Sequence, residues 1–105
     1  MHVTPTIFSS NQRLSISPNP LHQNDVHIHI ELDSTFRLHS DVLVIELYDI
    51  LGREVASVVN GTIGVHSLDL TQDCSKLVAG KYLCRMRVIS PTNTSEQTVS
   101  FVIDR

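Results

Sequence analysis

Asp25-Val26-His27-Ile28-His29-Ile30-Glu31-Leu32 alternates apolar and polar residues at every step. Successive side chains of an extended chain leave on opposite sides, so Val26, Ile28, Ile30 and Leu32 share one face, and His27, His29 and Glu31 the other. Such a strand keeps one face on a core and one in water. The next apolar run, Val42-Leu43-Val44-Ile45-Glu46-Leu47-Tyr48, is interrupted only at Glu46. It predicts a strand in the middle of a sheet, with Leu43, Ile45 and Leu47 inward and part of the outer face covered.

Outward from these two, the same period of two continues in both directions. Strands are expected over Leu14 to Ser17, Arg53 to Val59, Val65 to Leu70, Lys81 to Ile89 and Gln97 to Ile103. Breakers separate them: Ser17-Pro18-Asn19-Pro20, Asp49-Ile50-Leu51-Gly52, Asn60-Gly61, Gly64, Gly80 and Ser90-Pro91-Thr92-Asn93. No long 3.6-residue period occurs, and Thr71 to Val78 has room for one helical turn at most. Seven short strands in about 90 residues predict an all-β fold, an immunoglobulin-like antiparallel β-sandwich. Tyr82 stands two residues before Cys84 and follows Gly80, as in a tyrosine corner, although a core Trp and an inter-sheet cysteine pair are lacking. Residues 1–13 carry no period and read as a linker or disordered tail, leaving 14–105 as the domain.

A chain of 105 residues with 41% hydrophobic and 18% charged residues supports one packed core. Eight Lys and Arg against eleven Asp and Glu leave a net charge of −3, the wrong sign for duplex nucleic acid or an anionic membrane. Aromatic residues make up 5% and Trp is absent, which argues against single-strand stacking and sugar recognition. No run approaches the roughly 20 apolar residues of a membrane helix. The N-terminus has neither a basic start nor an apolar stretch of the secretory kind. The expectation is a soluble module without nucleic-acid partners or membrane insertion, cut from a longer protein.

Chemistry-bearing constellations are sparse. Cys74 and Cys84 match no zinc spacing; a bridge between neighbouring segments and a buried free thiol at Cys84 both fit. His27 and His29 project to the same side and could form a metal clamp with Glu31 or His66, but the signal is weak and a solvated strand face is the preferred account of them. Ser, His and Asp residues occur without a nucleophile elbow, a phosphate loop or a framed carboxylate pair, so no enzyme activity, cofactor or metal is expected.

The hairpin Tyr48-Asp49-Ile50-Leu51-Gly52-Arg53-Glu54-Val55 says more. Asp49 can accept a backbone N–H to open the turn, and Gly52 can supply positive φ to close it. Ile50 and Leu51 are an apolar pair at a tip, expected to tuck back on the sandwich edge. Pro18 and Pro20 fix φ and make a stiff elbow after the first strand.

Taken in order, several blocks resemble the type A C-terminal sorting domain of type IX secretion cargo. They are Ser15-Ile16-Ser17-Pro18-Asn19-Pro20, the Tyr48 to Val55 hairpin, Gly64-Val65-His66-Ser67-Leu68-Asp69-Leu70, Leu77-Val78-Ala79-Gly80-Lys81-Tyr82 and a last strand ending the chain. The likeness spans Leu14 to Arg105, and it extends at fold level to the immunoglobulin-like domain of flagellar hook-cap proteins, which shares the Asp-x-x-Gly-Arg hairpin. Two departures stand out. Ser95-Glu96-Gln97-Thr98 occupies the place where lysines often lead into the last strand, and Leu21 follows Pro-Asn-Pro where an aromatic is common.

The resemblance implies a secretion signal preceded by an unknown cargo domain. It implies passage through the periplasm, recognition by the outer-membrane translocon and removal by a sortase-like protease, with cargo left at the cell surface or released. Cleavage would fall in or just before residues 1–13. Candidate recognition residues are Asp49, Ile50, Leu51, Gly52, Arg53, Glu54 and Arg105, with Val99 to Arg105 as the last strand; Pro18, Asn19, Pro20, Gly80 and Tyr82 are its structural motif. The alternative is an accessory or adhesive module that stays on a cell-surface protein and binds a protein partner through Ile50 and Leu51.

Overall fold

The computed structural model describes residues 12–105. Its strands are β1 (Arg13–Ser17), β2 (Asp25–Glu31), β3 (Val42–Asp49), β4 (Glu54–Thr62), β5 (Ser67–Asp73), β6 (Gly80–Ile89) and β7 (Thr94–Ile103). They form two antiparallel sheets, β1-β2-β5 and β4-β3-β6-β7. The all-β sandwich expected from the alternation is the fold. In the constant-type immunoglobulin arrangement the fourth strand joins the first sheet. Here the tight turn after Asp49 keeps β4 beside β3, so the second sheet has four strands.

The core lies between the inner faces. Val26, Ile28, Ile30 and Leu32 meet Leu43, Ile45 and Leu47 from β3, Tyr82, Cys84, Met86 and Val88 from β6, and Phe101 and Ile103 from β7. Tyr82 and Phe101 stack with ring centroids 5.8 Å apart. Both cysteines are buried and free. Burial pushes the Cys84 thiol up to about 12, so it packs as a small hydrophobe and is not reactive.

β7 is the last strand of its sheet, and an edge strand offers unpaired N–H and C=O groups. The Pro18-Asn19-Pro20 elbow lies along that edge. Asn19 Oδ1 accepts from the Val102 amide at 3.1 Å, and Asn19 Nδ2 donates to the Ser100 carbonyl at 3.4 Å. Leu21 continues the pairing: its amide donates to Val102 at 2.7 Å and its carbonyl accepts from Asp104 at 2.8 Å. The elbow thus covers part of the final strand as well as turning the chain, and Leu21 sinks fully into the core beside it.

The folded unit reaches back beyond the expected boundary at Leu14. β1 opens at Arg13, and Gln12 is buried, accepting from Ser95 Oγ at 2.9 Å while its carbonyl accepts from Gln97 Nε2. The rest of the expected tail, residues 1–11, lies outside the described residues.

Two poles follow from the register. At the N-terminal pole Arg13 pairs with Glu31, Glu31 with Ser67 and Ile89 with Thr94, and Gln12 binds the start of β7. At the other, the hairpin pole, Asp49 pairs with Tyr82 and Gly80 with Ile103. Arg105 there bonds to Asn24 and to the Cys74 carbonyl, tying the sheets together.

Candidate functional site

At the hairpin pole the Asp49 carboxylate organises the turn between β3 and β4. Its Oδ1 accepts from the amides of Leu51 at 2.9 Å and Arg53 at 3.0 Å, and its Oδ2 from Arg53 Nε at 2.8 Å. The Arg53 amide foremost, with the Arg53 side chain and the Leu51 amide, holds the Asp49 carboxyl below the usual aspartate range. Gly52 sits at φ 85°, the left-handed region where a side chain would be strained.

Ile50 and Leu51 do not tuck. They are 68% and 74% exposed. With its backbone tied inward to Asp49, the turn leaves the two intervening side chains pointing to solvent, and among the described residues no loop bends over them. The expectation of tucking rested on a general rule about scattered surface apolars, which carries no information on where a pinned turn points.

Across from this tip stands the segment leading into β6. The Tyr82 hydroxyl donates to the Val78 carbonyl at 2.7 Å, a tyrosine-corner bond that fixes the path of the chain. Gly80 supports the bend at φ 154°. Val78, held by its carbonyl, turns its own side chain out and is 77% exposed. Between the two walls lies an open groove of about 460 Å³. Ile50, Leu51 and Arg53 form one side; Lys76, Val78 and Lys81 form the other.

Of the sequence-derived recognition residues, Asp49, Ile50, Leu51 and Arg53 line this groove. Gly52 shapes the turn, and Glu54 opens β4 opposite Tyr48. Arg105 is not in the groove; it is engaged with Asn24 and Cys74 at the same pole. Within the last strand Val99, Phe101 and Ile103 pack toward the core. Sequence reasoning missed Lys76, Val78 and Lys81 as a second wall. Their signal was an apolar run, Leu77-Val78-Ala79, set between the chain's two lysines.

The outer face of the four-stranded sheet carries a charged network. Tyr48 donates to Glu46 at 2.6 Å, and Arg85 and Arg87 approach the same Glu46 oxygen at 3.1 and 3.4 Å. The Tyr48 hydroxyl, before Arg85, keeps the Glu46 carboxyl below its ordinary range. The Arg85 guanidinium sits 4.8 Å from the Tyr48 ring centre. The cover over β3 expected from its apolar run consists of these side chains rather than a third layer.

On the other sheet His29 lies between two carboxylates, Asp69 at 2.6 Å and Glu31 at 2.9 Å. Hydrogen bonds donated by its ring to Glu31, then to Asp69, raise its pKa above the ordinary histidine value. His66 instead faces the Phe36 carbonyl at 3.0 Å. Among the described residues no three His, Cys, Asp or Glu side chains come together to hold a metal ion.

A family model described as secretion system C-terminal sorting domain matches residues 15–103. The matched stretch contains β1 from Ser15, strands β2 to β7 whole, the Pro-Asn-Pro elbow and both walls of the groove. No curated protein matches the chain.

Proposed function

Because the chain belongs to the family of type IX secretion C-terminal sorting domains, we propose that it directs a larger exported protein through the outer-membrane translocon of that system. A sortase-like protease then removes it, cutting in or before residues 1–13, and the cargo is left at the cell surface or released. The observation that carries this reading is the extent of the family match, residues 15–103 of 105. The family is one of secretion signals, and the reading is supported by the exposed apolar side chains Ile50, Leu51 and Val78 that gather along one groove at the hairpin pole. The proposed recognition surface is Asp49 to Glu54 with the Lys76 to Lys81 wall, and Arg105 supports it from beside the groove.

The experiment is a fusion of a signal peptide, a reporter and residues 1–105 expressed in a host with an intact type IX system. Reporter in the medium or on the surface is expected, and reporter held in the periplasm overturns the reading. Exposure of Ile50 and Leu51 also fits a retained module that binds a protein partner. Mass spectrometry of the mature surface product separates the two: a sorting signal leaves no peptides from Leu14 to Arg105, and a retained module leaves them at full stoichiometry.

A further inference from the structure

We propose that the groove at the hairpin pole takes a protein segment carrying carboxylates beside an apolar side chain, the apolar group seated between Leu51 and Val78 and the carboxylates paired with Arg53, Lys76 and Lys81. This rests on the sorting reading and adds to it the chemistry of the partner. Ile50 and Leu51 on the hairpin and Val78 on the segment before β6 are large apolar side chains left in water that line one open groove of about 460 Å³, within the size range of pockets that hold a ligand. Exposed apolar groups that converge on one concave feature mark a contact surface, whereas single scattered ones do not.

Charge then selects the occupant. The chain as a whole is acidic, at −3, yet the groove is lined by three cations and one carboxylate, Asp49. That carboxylate is already engaged by Arg53 Nε and two backbone amides, so Arg53 keeps only its terminal nitrogens for a partner and the excess positive charge is that of Lys76 and Lys81. Among the described residues Lys76 and Lys81 make no ion pair. A local positive rim on an acidic protein attracts and orients an anionic partner and disfavours a basic one. A second copy of the chain fits less well, since among the described residues its exposed large apolar side chains outside the groove are Val65 and Val102, single residues at opposite poles. A flat anionic lipid surface would meet the Ile50-Leu51 tip but would leave the recess between the walls unfilled, so an inserted protein segment fits better.

The test places a photoreactive benzophenone amino acid at Leu51, and separately at Val78, in the signal peptide–reporter–domain fusion inside an exporting host. The cross-linked species is sequenced. The expected product is a segment of another protein with two or more Asp or Glu residues within a few positions of an apolar one. Lys76→Glu with Lys81→Glu should lower both the cross-link yield and the exported fraction about tenfold, while the melting temperature of the purified domain stays unchanged because both side chains are exposed. A cross-link to lipid, to a second copy of this chain, or to a neutral or basic segment overturns the proposal. So does an exported fusion with no cross-link, or one indifferent to the charge reversal; in those cases sorting stands and the partner chemistry is wrong. If the unaltered fusion is not exported, the sorting reading itself falls and the proposal falls with it.

Discussion

Asp49 meets three donors with two oxygens, and the consequence is a dependence on pH with a definite sign. A carboxyl held below its unfolded value near 3.9 adds stability that is present above about pH 4 and lost as pH falls through the folded value. The Leu51 and Arg53 amides should therefore lose their hydrogen-bonded NMR signatures on acidification, and Asp49→Asn should remove that transition. His29 has the opposite sign. Both ring nitrogens face carboxylates, an arrangement that only the imidazolium satisfies with two N–H donors. Its contribution is complete below about pH 6.5 and declines as pH rises through the elevated folded value. The urea midpoint should fall between pH 6 and pH 9, and His29→Gln should flatten that fall; a wild-type midpoint constant over the range would contradict it. At Tyr82 the hydroxyl alone can be removed. Tyr82→Phe leaves the ring on Phe101 but strips the Val78 carbonyl of its partner, which should cost about 1–2 kcal/mol in urea unfolding.

Elements differ in how plainly the chain announces them. β2 was legible to within a residue because one buried face imposes a strict alternation, and a slip by one would put Val26, Ile28 and Ile30 in water. β4 was less so: two register shifts against β3, between Ile45 and Glu46 and between Leu47 and Tyr48, spoil the period and carry the strand three residues beyond the expected Val59. The two arginines on Glu46 come from β6, a strand remote in sequence, and no local pattern encodes such a pair. The Pro-Asn-Pro elbow could be read as a corner, but its engagement with β7, some eighty residues later, could not. That engagement gives an element-scale prediction. Asn19→Ala should expose the amide of Val102 and the carbonyl of Ser100, raise hydrogen exchange at Val102, and make light scattering grow with protein concentration as free edges pair. Unchanged exchange at Val102 would show that the elbow does not guard the strand.

For the molecule as a whole, the buried side chains of the last strand and the exposed lysines of the proposed groove are different residues, and experiments on the last strand must respect this. Phe101 is fully buried against Tyr82, and Phe101→Ala should cost about 3–5 kcal/mol, a large share of the roughly 5–15 kcal/mol that holds a small domain together. Deleting β7 therefore reports on collapse of the core, whereas charge reversal at Lys76 and Lys81 reports on contact alone. The candidate groove was half legible, its hairpin wall from turn chemistry and its other wall not, because the Lys76 to Lys81 segment is brought there by a change of sheet between β5 and β6. The placement of the two poles has a mechanical side. β1 runs from Gln12 toward the hairpin pole, so a pull on the chain ahead of Gln12, with that pole held, acts along the strand axis. The five β1–β2 residue pairs from Arg13 to Ser17 then share the load in shear instead of opening one after another. Tension applied ahead of Gln12 is thus resisted by the whole β1–β2 ladder at once.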